Sequence, residues 1–237
     1  MEDHPDILEQ FAATRYDWGP CPYGRPGTQL VNAFACERLD GALYERALAL
    51  GWRRSGMIFY RNRCPACDAC VPLRVDAGQL AATKSQRRVS RLNADLSFSA
   101  GIQEFTEEDY ALFSRYLCAR HSVGRDGFTR EDYRRSYIES PVESAIVRYR
   151  KSDGSLVALS FLDVLPDGLS SVYFAFEPEE GRRSLGVHSV FADSSLARGL
   201  GKRWYYLGFR VAGCKKMEYK AHFAPHEIAT GGAWRAV

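Results

Sequence analysis

Three groups of residues in this chain have types and spacings that can do chemistry. The first is Glu177-Pro178-Glu179-Glu180-Gly181-Arg182-Arg183-Ser184-Leu185-Gly186. Small and basic residues between a strand and a helix form an anion cradle, because free backbone N–H groups and the helix dipole point at one place. Arg182, Arg183, the Ser184 hydroxyl and Gly186 allow charge-assisted contacts and close backbone approach, which suits a phosphate. The plain alternative is a flexible connection with surface arginines. The second group is Lys84, Arg87, Arg88 and Arg91, spaced to share one helical face with no acid before Asp95. Such a stripe neutralises a polyanion's phosphates, whereas a solvated face mixes in acids. The third is Cys64-Pro65-Ala66-Cys67-Asp68-Ala69-Cys70, a partial chelate that Cys21, in its own Pro-bounded loop, can complete for zinc or an iron–sulfur cluster. Its alternative is a tight loop whose small thiols pack in a core.

The elements that position these groups follow from the hydrophobic pattern. Thr28 to Ala35 and Trp52 to Arg61 read as strands, Asp40 to Leu50 as a helix stopped by Gly51, and Val71 to Val75 as a strand leaving the cysteine cluster. Residues 1 to 20 read as a lead-in. Thr83 is the N-cap of the basic helix. Asp95 to Gly101 is a strand. Helices follow over Thr106 to His121 and Arg130 to Glu139, separated by a break at Ser122 to Phe128; Arg120 and His121 suit the helix dipole or a functional role. Ala145 to Arg150, Ser155 to Leu165 and Leu169 to Phe176 form an antiparallel meander with turns at Ser152-Asp153-Gly154 and Pro166-Asp167-Gly168. A helix from Leu185 to Gly199 then leads to a strand over Trp204 to Phe209.

The 237 residues, 46% hydrophobic and 26% charged, suffice for one large or two small cores and argue against disorder and against a disulfide scaffold. No apolar run is long enough to span a membrane, and the acidic start lacks the features of a signal peptide, so a soluble cytoplasmic protein is expected. Seven cysteines in such a chain point to thiols or a metal rather than disulfides. The net charge of +3 is too small to establish a nucleic-acid partner by itself, so local clustering carries that argument.

Two helices, a meander and a strand–helix–strand unit with a basic junction resemble an α+β acyltransferase domain of the GNAT type. In that fold Arg183 and Gly186 would hold a phosphate, although His188 stands where coenzyme A sites usually carry a small residue. Colinear stretches extend the likeness over nearly the whole chain. They are Cys21-Pro22-Tyr23, Trp52-Arg53-Arg54-Ser55-Gly56, Cys64 to Val75, Ser85-Gln86-Arg87-Arg88, Asn93-Ala94-Asp95-Leu96, Arg120-His121, Leu165 to Ser170, Arg183 to Gly186, Tyr206-Leu207-Gly208 and Lys215 to Lys220. On these the chain resembles the aminoacyl-tRNA–protein transferases, specifically the bacterial aspartate/glutamate leucyltransferases. Gly24-Arg25-Pro26-Gly27 departs from the bacterial pattern, and Tyr206 to Phe209 with Cys214 lies closer to the eukaryotic arginyl branch.

The resemblance implies an N-terminal family domain over 1–100 and a GNAT-like transferase domain over 101–237. It implies leucine transfer from aminoacyl-tRNA to N-terminal Asp or Glu of proteins in the N-degron pathway, by direct attack of the acceptor amine and without a required cofactor. Arg183, Ser184 and Gly186 would hold the terminal phosphates of the tRNA, and Lys84, Arg87, Arg88 and Arg91 the acceptor stem. Arg53, Arg54, Arg74, Lys216 and Lys220, near Tyr206 and Tyr219, are candidates for the acceptor's carboxylate. Asp163, Glu177 and His188 are candidate bases, with Asp163 read rather as a structural carboxylate. The alternatives are an arginine donor, a coenzyme-A-dependent N-acetyltransferase and a non-catalytic tRNA-binding module.

Overall fold

The computed structural model describes residues 8, 11, 13–65, 67–121 and 127–237. Among them the strands form two sheets. β1 (Thr14–Pro20), β2 (Thr28–Ala35), β4 (Ile58–Asn62) and β3 (Trp52–Ser55) make a small antiparallel sheet in that spatial order. The lead-in expected over residues 1 to 20 therefore contains a strand. The single strand expected over Trp52 to Arg61 is a hairpin, because Gly56, at φ +55°, turns the chain between β3 and β4. α1 (Gly41–Ala49) starts at Asp40, whose carboxylate caps the Leu43 amide at 2.8 Å, and ends before Gly51 at φ +87°.

The larger sheet has the order β12-β11-β5-β10-β9-β8-β7-β6. Its members are β5 (Cys70–Asp76), β6 (Ser97–Ile102), β7 (Ser144–Arg150), β8 (Leu156–Val164), β9 (Gly168–Phe176), β10 (Trp204–Val211), β11 (His226–Thr230) and β12 (Ala233–Ala236). β8 is apolar apart from Ser160 and Asp163 and is buried along nearly its whole length, as a strand covered on both faces must be. β7, β8 and β9 are the expected meander. α5 (Leu185–Gly199) crosses over from β9 to β10, and the two strands pair parallel at Trp204–Gly168, Tyr205–Leu169 and Tyr206–Ser170. This meander and parallel strand–helix–strand unit give the GNAT-like α+β topology. The parallel pairing ends there, so β9 and β10 diverge and open a wedge in the middle of the sheet.

α5 covers one face through Leu185, Val190 and Ala197, packed with Leu169, Tyr205 and Leu207. α3 (Glu107–His121) covers the other through Leu112 and Phe113, packed with Ile146, Leu159 and Phe161. Trp204 and Tyr206 join that face to Phe34, Tyr44, Trp52 and Phe59 of α1 and the small sheet. The helix expected over Arg130 to Glu139 is a short α4 (Arg130–Tyr133) followed by a wider π-helical turn over Arg134–Ile138. The Gly56 amide donates to the Ser136 carbonyl at 3.1 Å, drawing an acceptor of this turn toward the small sheet. α2 (Lys84–Leu92) has the expected Thr83 cap, with Gln86 completing a capping box. The break expected at Ser122 to Phe128 falls mostly outside the described residues. Among the described residues no helix is long and apolar enough to cross a membrane.

Candidate active cleft and thiol pocket

The wedge between β9 and β10 is part of a cleft of about 820 Å³. Its walls carry Ser170, Ser171, Leu207 and Gly208 from the wedge, Ser184, Gly186 and Val190 from the start of α5, and Tyr44, Arg53 and Tyr60 from α1 and the small sheet. Lys216, Tyr219 and Lys220 close it from the segment after β10. Arg53, Arg54, Arg120, Lys216 and Lys220 all contribute to the lining, and among the described residues no Asp or Glu does.

Two of these cations share a recess. Arg53 is 6% exposed; its Nη1 donates to the Trp52 carbonyl at 3.1 Å, while Nε and Nη2 are buried without a partner among the described residues. The guanidinium stands 5.1 Å from the Phe209 ring centroid. The Lys220 ammonium donates to the Phe209 carbonyl at 3.2 Å. Burial, with Arg53 adding to it, pulls the Lys220 pKa down to about 7. Gly208 makes room for both: the register of β10 on β5 shifts between Tyr206 and Gly208, whose φ is +79°. A Cβ there would lie 3.6 Å from Lys220 Nζ and 4.0 Å from Arg53 Nε.

The other candidates for the acceptor are distributed differently. Arg54 is held on Asp163, with Nε donating to Oδ1 at 2.7 Å and Nη2 bonded to the same oxygen, while Ser144 Oγ donates to it at 3.1 Å. Both charges are buried, and burial raises the Asp163 pKa against the opposing pull of Arg54. Arg74 stacks between Trp204 and Trp234, 3.5 and 4.5 Å from their ring centroids, and pairs with Glu227 at 2.6 Å. Tyr206 donates to Glu45 at 3.0 Å. Arg74 and Tyr206 do not belong to the cleft lining, whereas Lys216 and Tyr219 do.

In the anion cradle, Pro178–Arg183 forms a 3-10 turn and Ser184, at φ 54°, begins α5. Ser184 and Gly186 face the cleft. Arg183 is committed elsewhere: Nη1 and Nη2 donate to Asp95 at 2.7 and 3.0 Å, and Nε donates to Glu180 at 2.7 Å. Together with Asn93, whose side chain donates to the Arg183 carbonyl at 2.9 Å, it ties the end of α2 to the start of α5. Lys84, Arg87, Arg88 and Arg91 are exposed on α2. Of the candidate bases, none lines the cleft. Asp163 holds Arg54, Glu177 accepts from Arg115 Nε at 3.0 Å, and both nitrogens of the His188 ring are buried without a partner among the described residues, its pKa lowered by burial.

Cys21, Cys64, Cys67 and Cys70 line one small cavity of about 60 Å³ with Pro22, Tyr23 and Arg25. Burial, then the neighbouring thiols of Cys64, Cys21 and Cys67, push the Cys70 pKa up to about 12. The donor set is that of a thiophilic ion, and the loop brings the Cys21 thiol to the same cavity as the other three. The side chains are not drawn into a formed chelate: among the described residues no three His, Cys, Asp or Glu are grouped to hold a metal. Pro22 and Tyr23 also line the large cleft, so this loop is the wall between the two spaces.

Ser170, Ser171, Tyr205 and Asp193 escape the sequence reading, as does the tyrosine surround of Arg53. Asp193 left one signal, since an acid on the apolar face of a crossover helix must be buried with donors. Nothing local marks the serines, whose exposure comes from the parting of two strands.

A family model described as "Arginine-tRNA-protein transferase, C terminus" matches residues 108–230, and its N-terminal counterpart matches residues 19–88. The chain is 39% identical to an aspartate/glutamate leucyltransferase of Methylobacterium nodulans over 99% of this chain and 98% of that one. It is 38% identical to the enzyme of that name from Chromobacterium violaceum over 92% and 90%. Among solved structures, the C-terminal domain of a lysylphosphatidylglycerol synthetase from Agrobacterium fabrum aligns with TM-score 0.47 and 18% identity, covering 76% of this chain and 54% of that chain. With both halves matched in order, and relatives aligned nearly end to end, the chain belongs to the arginine-tRNA-protein transferase family.

Proposed function

We propose that this chain transfers leucine from the 3′ end of leucyl-tRNA to the α-amine of proteins that begin with Asp or Glu, marking them for the N-degron pathway. The observation that carries this reading is a cleft with five basic side chains and, among the described residues, no acidic one. Arg53 and Lys220 place two cations in one recess, and Arg53 keeps unpartnered donors there. Burying charge in this way is costly until an anion completes it, and the acceptor's side-chain carboxylate is that anion.

The same lining favours leucine over arginine as donor. Val172, Phe174, Phe176, Leu185 and Val190 offer an apolar wall to a leucyl side chain. An arginyl side chain would meet cations and no carboxylate. The family model's description nevertheless names arginine, so both donors belong in the assay. An N-acetyltransferase would need Arg183 for the pyrophosphate of coenzyme A, and that side chain is engaged by Asp95 and Glu180. A mere tRNA-binding module would have no use for the recess beneath Gly208.

In this mechanism the exposed stripe of α2 lies along the acceptor stem, and Ser184 and Gly186 at the start of α5 receive a phosphate near the 3′ end. Arg183 holds these two elements together. The acceptor carboxylate sits on Arg53 and Lys220, directing its amine toward the ester carbonyl in the wedge. No enzyme nucleophile is required, because an amine attacks an aminoacyl ester directly; orientation and stabilisation of the oxyanion supply the catalysis. Cys21, Cys64, Cys67 and Cys70 would hold zinc or an iron–sulfur cluster. That group would fasten the Cys21 loop against β5, and no step of the transfer passes through it.

The test offers peptides beginning Asp, Glu or Ala together with tRNA charged with labelled leucine or arginine. Leucine on the Asp and Glu peptides alone supports the reading. Arginine alone would move the donor assignment, and acetylation from acetyl coenzyme A without any tRNA-dependent transfer would overturn the function.

A further inference from the structure

We infer that Asp193, reached through the hydroxyls of Tyr205 and Ser171, takes up and returns the proton that moves during aminoacyl transfer. The inference rests on the transfer reaction proposed above. Asp193 lies within α5 and is 1% exposed. Among the described residues its carboxylate has no cationic partner: it accepts from the Tyr149 hydroxyl at 2.6 Å, the Ser160 hydroxyl at 2.8 Å and the Tyr205 hydroxyl at 2.8 Å. Burial raises its pKa to about 6, while the hydroxyl donors oppose the rise. It is thus a carboxylate at neutral pH, with an affinity for protons suited to exchange.

Of its three partners, Tyr205 alone lines the cleft, and the Tyr205 hydroxyl also interacts with the side chain of Ser171. Ser171 lines the cleft just beyond Ser170, the last residue of β9 paired with β10. Tyr205 donates its proton to Asp193, which leaves its oxygen free to accept; in the proposed relay the neighbouring Ser171 hydroxyl of the cleft lining donates to it, and the Ser171 oxygen accepts from a bound amine. Every link donates inward. The groups facing the carboxylate are Tyr149 of β7, Ser160 of β8 and Tyr205 of β10. On α5 itself stands His188, whose ring centroid is 6.1 Å from that of Tyr149 and whose pKa burial lowers from its ordinary value. The carboxylates named from sequence cannot serve as readily, since Asp163 and Glu177 are bound by arginines.

The step balances without a co-reactant. As the acceptor's neutral amine forms its bond to the aminoacyl carbonyl carbon, the nitrogen's proton passes to Ser171, that of Ser171 to Tyr205 and that of Tyr205 to Asp193. As the carbonyl carbon breaks its bond to the ribose oxygen, the acid returns a proton along the same path to that oxygen.

The experiment measures leucyl transfer to a saturating Asp peptide, so that the effect of Lys220 on acceptor KM drops out, from pH 5 to 9 with the full-length chain and with Tyr205→Phe, Ser171→Ala and Ser171→Thr. The acceptor amine alone gives the logarithm of the rate a slope of one below its pKa of about 8. The relay steepens that slope to two below about pH 6 in the wild type, where Asp193 is protonated. Tyr205→Phe and Ser171→Ala lower the rate at pH 7 by about 100-fold and keep a slope of one throughout, whereas Ser171→Thr, retaining the hydroxyl, restores most of the rate. Ser171 is only half-buried, so its variants stay folded, as thermal melting verifies, even if Tyr205→Phe loosens the core. Both phenylalanine and alanine variants within twofold of wild type, with the steepening intact, would overturn the relay. A wild-type chain that transfers nothing to any peptide would instead overturn the transfer reaction, and the relay with it.

Discussion

Arg53 and Arg54 are neighbours in sequence with opposite fates, because successive residues of a strand point to opposite faces. Both touch the cleft, but the Arg54 guanidinium is spent on Asp163 and Ser144, whereas Arg53 keeps two buried nitrogens without a partner among the described residues. Arg54→Met should therefore unfold the protein more easily, costing about 3–5 kcal/mol by leaving a buried carboxylate unpaired, as chemical denaturation would measure. Arg53→Ala should leave folding nearly intact and raise the KM for an Asp peptide by about 10- to 100-fold, the loss of a charge-assisted bond to the acceptor. Lys220 adds a pH dependence. Its pKa lies near 7 rather than at its usual 10.5, so it is charged below pH 7 and neutral above. Acceptor KM should rise as pH goes from 6 to 8, and Lys220→Met should flatten that rise. The sequence showed both arginines and the lysine as candidates, but which one a carboxylate would claim depends on partners 109 residues away, and no local pattern reports that.

The elements were more legible. α2 announced itself by a basic stripe at helical spacing and a Thr83 cap, and α5 by its place between two apolar strands. What the pattern could not give was their docking, where Arg183 leaves the phosphate cradle to pair with Asp95 and Glu180. The stripe itself is exposed, which the proposed contact with tRNA requires. Replacing Lys84, Arg87, Arg88 and Arg91 together with Gln should weaken leucyl-tRNA binding and reduce the slope of log K against log salt by up to about 3–4. Acceptor KM should stay unchanged, which binding measurements over a salt series and peptide titrations would separate. The π-helical turn at Arg134–Ile138 was likewise invisible, since its form depends on a glycine amide from another hairpin.

At the scale of the whole molecule, the cleft exists because the small sheet closes over one end of the wedge in the large one. Residues from both ends of the chain line it, and the Cys21 loop separates it from the thiol pocket. The meander and crossover were readable because the meander's turns carry Asp-Gly pairs and β8 is mostly apolar, while β11 and β12 went unread. If the thiols hold an ion, the purified wild type should contain stoichiometric zinc or iron by elemental analysis, and Cys21→Ser or Cys64→Ser should lose it and melt at lower temperature. The cleft, with no Asp or Glu among its described lining residues, makes the most direct demand. Transfer of labelled leucine should be measured from leucyl-tRNA to a peptide beginning Asp and to the same peptide beginning Asn, with wild type and Arg53→Ala. The account predicts strong preference for Asp in the wild type and its collapse in the variant. Equal transfer to Asp and Asn, or a preference that survives the loss of Arg53, would contradict it.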